Sequence, residues 1–273
     1  MNDYSLLPRP AKDLLRQHVG RYVVSDLWWR LRFAAQRFAA ERAEKDEVTR
    51  LATRLHPLPS ATVAVVMPTF RRPERLAAAV DSVLGQTMGD FVLLVVDDGG
   101  GQISGLRDDP RIVPVALSRN HRSPGLARNV AMRLSRSEFV AFLDDDNIWR
   151  SDHLEQSVTA LRAGAGLVYT ALRRLRADDS EFDVLSRPFN RAVHRDDAWV
   201  DINSVVLRRL PGIRFDPWAR PKWLHPREDW EFVHRMSAKL RVEHLAVPTV
   251  DYLVHSGSYF TDWDGTAIGV DQT

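Results

Sequence analysis

Hydrophobic and polar positions change rhythm near residue 60. Before it, Leu27, Trp28, Leu31, Ala35 and Phe38 recur at helical spacing with charges between them, predicting a helix that Asp26 can cap. A stretch rich in Glu, Lys and Arg continues the helical pattern to about Leu55, and His56-Pro57-Leu58-Pro59 ends it. From Thr62, short apolar runs alternate with amphipathic ones. Residues 63–67, 91–96, 112–117 and 139–143 read as buried strands. Between them, Pro73 opens a helix with Leu76, Val80, Val83 and Leu84 on one face, and Pro124 opens another through Leu126, Val130 and Leu134. Strand–helix–strand units in series predict an α/β fold, Rossmann-like, with a mostly parallel central sheet and flanking helices. The second half is less regular: a helix over 153–161, a strand over 167–172, a loop over 179–197, a strand over 200–207 and a helix over 227–240. The expected organisation is an N-terminal helical extension over 1–59 and a main domain over 60–273, divided near residue 150.

Composition narrows the chemistry. The 273 residues are 44% hydrophobic and 27% charged, as in a folded globular protein. The absence of cysteine excludes thiolate catalysis, disulfides and cysteine-held zinc. No apolar run approaches the roughly 20 residues of a membrane span, and the N-terminus lacks a signal-peptide pattern, so a cytoplasmic location is expected. A net charge of +2 gives no reason to expect a nucleic-acid partner. The basic residues are nonetheless concentrated: seven Lys or Arg against Asp13 and Asp26 between Arg9 and Arg37. The helical extension can pack on the main domain. Alternatively, a basic face carrying Trp28, Trp29 and Phe33 can touch a membrane surface peripherally or pair with a second copy.

The strongest chemical signal is the apolar run Phe139–Leu143 emptying into Asp144-Asp145-Asp146-Asn147. Adjacent carboxylates repel and need a compensating cation. Asp144 and Asp146, alternating across a tight turn, can hold a hard divalent metal through oxygen. Two other predicted strands end in polar groups: Pro68-Thr69-Phe70-Arg71 after the first and Asp97-Asp98-Gly99 after the second. Open α/β sheets bind ligands beyond the carboxyl ends of their strands. Any single aspartate there can be a turn former or helix cap, but three such ends at one sheet edge point to a site.

Several motifs together resemble the family 2 glycosyltransferases of the GT-A fold. They are Val66-Met67-Pro68-Thr69-Phe70, Val95-Val96-Asp97-Asp98-Gly99, Asn120 with Gly125-Leu126-Ala127-Arg128-Asn129, Phe142-Leu143-Asp144-Asp145-Asp146-Asn147-Ile148-Trp149, and Glu228-Asp229-Trp230. The resemblance spans about residues 62 to 260. It implies an inverting transfer of a sugar from a nucleotide-diphosphate donor, with UDP the favoured carrier, to a hydroxyl acceptor recognised by the second half. Thr69 with Asp98, and Asp97 beside it, would receive the base and ribose, since carboxylates accept imide and hydroxyl protons. Pro68, Phe70 and Arg71 would border that subsite, and Arg128 would stand near the nucleotide or its phosphates. Asp146 would ligate Mg²⁺ or Mn²⁺, with Asp144 closer to ribose or to a metal-bound water and Asp145 the variable middle residue of the D-x-D motif. His255 is a further candidate ligand, favouring manganese. Asp229 would be the general base, with Glu228 its alternative or a substrate hydrogen-bonder. Acids in a first helical turn are also favoured by the helix dipole. Trp218, Trp223 and Trp230 can stack on sugar or fill core.

Two other readings meet specific obstacles. A sugar-phosphate nucleotidyltransferase would be expected to carry a glycine-rich phosphate loop after the first strand, where this chain has Pro68-Thr69-Phe70-Arg71-Arg72-Pro73. A calcium loop starting at Asp144 would need glycine where Trp149 stands. A degenerate protein that binds nucleotide sugar without turnover is the alternative from outside the enzymes, and the presence of both metal aspartates and the candidate base argues against it.

Overall fold

The computed structural model describes residues 19–101, 103–176, 178–221 and 224–254. His255 and Trp223 lie outside them. Helices α1 (Arg21–Arg32) and α2 (Ala34–Ala52) come first. Then follow β1 (Val63–Thr69), α3 (Pro73–Leu84), β2 (Phe91–Asp97), β3 (Ile112–Ala116), α4 (Pro124–Arg133), β4 (Phe139–Phe142) and β5 (Ile148–Trp149). The second half contains α5 (His153–Arg162), β6 (Leu167–Leu175), β7 (Glu181–Leu185), α6 (Arg191–His194), β8 (Val205–Arg208), α7 (Glu228–Met236) and β9 (Val242–Leu253).

The strands form one sheet in the order β3-β2-β1-β4-β8-β6-β9-β5, with β7 on β6. From β3 to β4 all pairings are parallel, as the βαβ rhythm predicts. The chain runs outward from β1 through β2 to β3, then returns to place β4 on the other side of β1. The resulting switch point between β1 and β4 is where such sheets open a crevice. β8 joins β4 antiparallel and connects the parallel half to the rest.

Both sheet faces are covered, which explains the unbroken apolar runs of β1 and β2. Alternate residues sort to opposite sides. Ala64, Val66, Leu94, Val96, Val140 and Phe142 pack with α4 and α7. Val63, Val65, Leu93, Val95, Phe139 and Ala141 pack with α3 and α5.

The N-terminal helices share the first of these cores, to which α2 contributes Leu51, with Val48 and Ala52 packed against it. Their acids face inward as well: Glu44 accepts from Asn129 at 2.8 Å and pairs with Arg214 at 2.9 Å. On α1, Asp26 pairs with Arg220 at 2.5 Å and Arg30 with Glu231 of α7 at 2.5 Å.

Several expectations change here. Asp26 does not cap the first helix, which begins after Gly20; it sits mid-helix, buried, as the partner of Arg220 and Arg30. Of the alternatives for the N-terminal helices, the contacts follow packing on the main domain: Phe33 stacks on Trp218 at 4.4 Å, and Trp29 donates to the carbonyl of His225. The 179–197 loop contains β7 and the single-turn α6. The 200–207 strand starts only at Val205. Before it, Asp201 accepts the Asn203 N–H at 2.8 Å and turns Ile202–Ser204 into a 3₁₀ turn.

Candidate active site

A cavity of about 910 Å³ opens at the switch point. Its lining takes in Pro68, Thr69, Phe70, Arg71, Asp98, Arg128, Asp144, Asp145, Asp146, Glu228 and Asp229. These residues are brought together by the carboxyl ends of β1 and β4, the loop after β2, helix α4 and the start of α7. Of the described residues expected in the site, Asp97 alone lies off the lining.

β4 delivers the carboxylates. Parallel register places Phe142 beside Val66, so the next three residues reach the level of Thr69. Thr69 Oγ1 donates to Asp145 Oδ2 at 2.7 Å. Asp145 is buried, which raises its carboxyl pKa; the Thr69 hydroxyl and Arg72 pull it the other way. The compensating cation that the triple aspartate requires is present as guanidinium. Arg72 lies 2.7 Å from Asp146 and 3.2 Å from Asp145. Arg128, 2% exposed at its side chain, lies 2.6 Å from Asp144 and 2.9 Å from Asp229.

Arg128 therefore joins the β4 turn to α7. α4 is anchored for this by Ser123, whose hydroxyl accepts the Leu126 N–H and donates to the Pro217 carbonyl. The guanidinium also lies 5.2 Å over the Phe215 ring. Burial would lower the Arg128 pKa, but Asp144 and Asp229, with Glu228, outweigh it and hold it raised. Asp229 moves upward to about 8: burial and the neighbouring Glu228, Asp144 and Asp201 disfavour its charge more than Arg128 favours it. Its side chain keeps 32% exposure toward the cavity, which tempers that rise. Asp201 is pushed up to about 6 by burial.

Asp97 and Asp98 shape the rim. Asp97 accepts the N–H groups of Gly100 and Gly101 at 2.7 and 2.6 Å. Asp98 accepts those of His121 and Arg122 at 2.8 and 2.9 Å. Gly99, which follows them, has φ 76°, and a Cβ there would stand 2.5 Å from the Arg119 carbonyl carbon and the Asn120 nitrogen. Only glycine allows that approach. Arg71, also at positive φ (54°), lays its guanidinium 5.1 Å over the Phe70 ring. Trp218 is buried away from the cavity, whereas Trp230 reaches its lining while its indole donates to the His194 carbonyl at 2.6 Å and its ring meets Tyr22 edge-on at 5.4 Å.

Comparison with known proteins gives this arrangement a family. Residues 64–215, more than half of the chain, match the model of Glycosyl transferase family 2. The chain belongs to that family. It is 36% identical over 102 residues to the succinoglycan biosynthesis protein ExoW of Rhizobium meliloti (strain 1021), covering 34% of this chain and 32% of that protein. It is 32% identical over 105 residues to the UDP-Glc:alpha-D-GlcNAc-diphosphoundecaprenol beta-1,3-glucosyltransferase WfgD of Escherichia coli, covering 36% of this chain and 40% of that protein. The chain thus spans well under half the length of these curated relatives. Staphylococcus aureus TarS 1-349, solved in complex with UDP-GlcNAc, superposes with a TM-score of 0.58 at 17% identity, over 72% of this chain and 60% of that one. That likeness shows the fold, a GT-A arrangement with a mixed sheet.

Against the family pattern, the donor set suits a hard divalent cation. Asp144 and Asp146 offer oxygen only, both on the cavity lining. No cluster of three or more His, Cys, Asp or Glu poised around a metal exists among the described residues. A magnesium-like ion held by one or two carboxylates and completed by substrate phosphates needs none.

Three residues of the site escaped the sequence reading. Arg72 stood in the quoted Arg71-Arg72-Pro73 but was passed over in favour of Arg71. Asn203 accepts the Asp144 N–H at 2.6 Å and donates to Asp201 at 2.7 Å, fixing the carboxylate turn from behind. The signal was there: Asp201 and Asn203 interrupt an apolar run, and buried polar groups need partners.

Proposed function

We propose that this chain transfers a sugar from a nucleotide-diphosphate donor to a hydroxyl acceptor by a single displacement with inversion. The observation that carries the reading is one buried guanidinium, Arg128, spanning Asp144 of the carboxylate turn and Asp229 of the opposing helix. Such a bridge sets a donor-side carboxylate and a base at a fixed separation across one cavity. UDP is the favoured carrier, as in the name of the E. coli relative. Thr69, Asp98 and the neighbouring Pro68, Phe70 and Arg71 serve the nucleoside end, with Asp97 holding the turn that supports them.

Asp146 and Asp144 would hold Mg²⁺ or Mn²⁺. When bound, such a cation would supply neutralisation of charge developing on the leaving diphosphate. Asp229 as carboxylate takes the acceptor hydroxyl proton while that oxygen bonds to the anomeric carbon and the bond to the diphosphate breaks. Glu228, beside it, hydrogen-bonds the incoming acceptor. The second half of the chain, with Trp230, Tyr252 and Arg227 on the cavity wall, faces that acceptor. No described helix is long and apolar enough to cross a membrane.

The test begins with thermal stabilisation by UDP-, GDP-, dTDP- and CDP-sugars with and without Mn²⁺, because a ligand bound only to the folded state raises its stability. A cation-dependent shift with one nucleotide, followed by release of that nucleoside diphosphate on adding acceptor, is expected. No shift with any donor would defeat the reading.

A further inference from the structure

Outside the cavity, the most unusual surface is the outward face of α1 and α2. Leu27, Leu31 and Phe38 are exposed at 60, 69 and 71% of their surface. Leu27 and Leu31 stand one turn apart on α1, and exposed Ala35 and Phe38 one turn apart on α2, on either side of the break at Phe33. Large apolar side chains are not costly singly, but several of them exposed on one segment mark a contact.

The charges of this segment are sorted by sign. Of the acids on these helices, Asp26, Glu41, Glu44 and Glu47 are committed to inward partners: Arg220, Arg214, Arg133 and Ser118 among them. Asp46, next to Lys45 and one turn after Arg42, is the exposed exception. Arg32, Arg42 and Lys45 are exposed on the same two helices and make no ion pair among the described residues. Helices that expose apolar side chains together with cations suit the interface of a bilayer whose headgroups are anionic. Two copies meeting through this face would bring the same cations together, which opposes a symmetric dimer. We infer that the outer face of α1 and α2 is a docking surface for an anionic lipid bilayer, entered by Leu27, Leu31 and Phe38 and held by Arg32, Arg42 and Lys45.

The consequence is positional. The same helix reaches α7 through Arg30, paired with Glu231, and Tyr22, packed edge-on against Trp230, so α1 links the proposed membrane face to the Asp229 helix. Of Trp28, Trp29 and Phe33, which the sequence offered for such a contact as an alternative to packing, Trp29 and Phe33 hold the helix to the domain.

The experiment is co-sedimentation of the full chain with phosphatidylcholine vesicles, with and without phosphatidylglycerol. Two variants accompany it, Leu27→Ser/Leu31→Ser/Phe38→Ser and Arg32→Glu/Arg42→Glu. The wild type is expected to bind the anionic vesicles and to lose binding as salt rises. Each variant is expected to bind about tenfold less while melting at the wild-type temperature, since all the altered residues are exposed. Failure of the wild type to bind anionic vesicles overturns the inference. So does undiminished binding by the charge-reversed variant, or a light-scattering mass that doubles for the wild type and returns to monomer in the triple-serine variant.

Discussion

Replacing Arg128 by Met removes the charge and keeps most of the volume. The guanidinium is buried, and its loss strands Asp144 and Asp229, whose side chains are 29 and 32% exposed to the cavity. Breaking a buried ion pair from one side costs about 3–5 kcal/mol; cavity water screens these two carboxylates, which brings the expected loss to about 2–3 kcal/mol. For a chain of this size each kcal/mol moves Tm by about 2–4 °C, so a drop of about 4–12 °C should follow. The loss should also depend on pH. Asp229 is raised to about 8 in the folded protein, against about 3.9 when unfolded. Between those values the folded state binds more protons, so this carboxyl's stabilising share is full below pH about 4 and disappears as pH rises through about 8. In the variant Asp229 has lost the one cation that lowers its pKa, so its deprotonation becomes still less favourable. Urea denaturation should therefore show the smallest deficit near pH 5, where Asp229 is neutral, and the largest above pH about 8. A deficit equal at both ends, or below about 1 kcal/mol throughout, would refute the reasoning.

Asp229→Asn should leave donor binding by titration calorimetry within about twofold and reduce transfer by about 10²–10⁴; wild-type turnover would remove Asp229 as the base. In the wild-type protein, kcat/KM should rise with pH through the Asp229 pKa and level off above it, because the base acts as carboxylate; a profile that declines over that range contradicts the assignment. Arg72→Ala should tighten the binding of Mn²⁺ alone about two- to fivefold, read by electron paramagnetic resonance, since a half-exposed guanidinium no longer competes for Asp146. Weaker or unchanged Mn²⁺ binding would show that Arg72 does not share that carboxylate with a cation. Gly99→Ala should cost about 2 kcal/mol or more in chemical denaturation, the added methyl meeting backbone that cannot yield; a cost near zero would mean the 119–122 loop moves freely.

The parallel half of the fold was legible because its signals are local. Strands covered on both faces are apolar throughout, and each crossover helix starts at a proline or shows its stripe. The antiparallel half was less legible. β8 is four residues long, and β7 has no buried residue and no regular alternation, a pattern that resembles a loop. Of the site, the carboxylates announced themselves as charges at strand ends. Arg128 was expected near the nucleotide, but not its pairing with the carboxylates, and Arg72, just before α3, was not singled out; both take that role from partners distant in sequence. Arg128 meets Asp229 across 101 positions, a contact that no spacing rule reaches.

The family match begins at residue 64, yet the packing does not. Leu51 is 5% exposed in the core, Glu44 satisfies Asn129 of α4, and Glu47 receives both the N–H and the hydroxyl of Ser118 beside the rim loop. A fragment cut at the edge of the recognisable sequence would bare one side of α4 and leave Asn129, Arg133 and Arg214 without their carboxylate. Resemblance and foldability thus draw different borders on this molecule. The segment that matches the family depends mechanically on residues outside that match, and a substitution on α1 can reach the Asp229 helix through Arg30 without altering any residue within it.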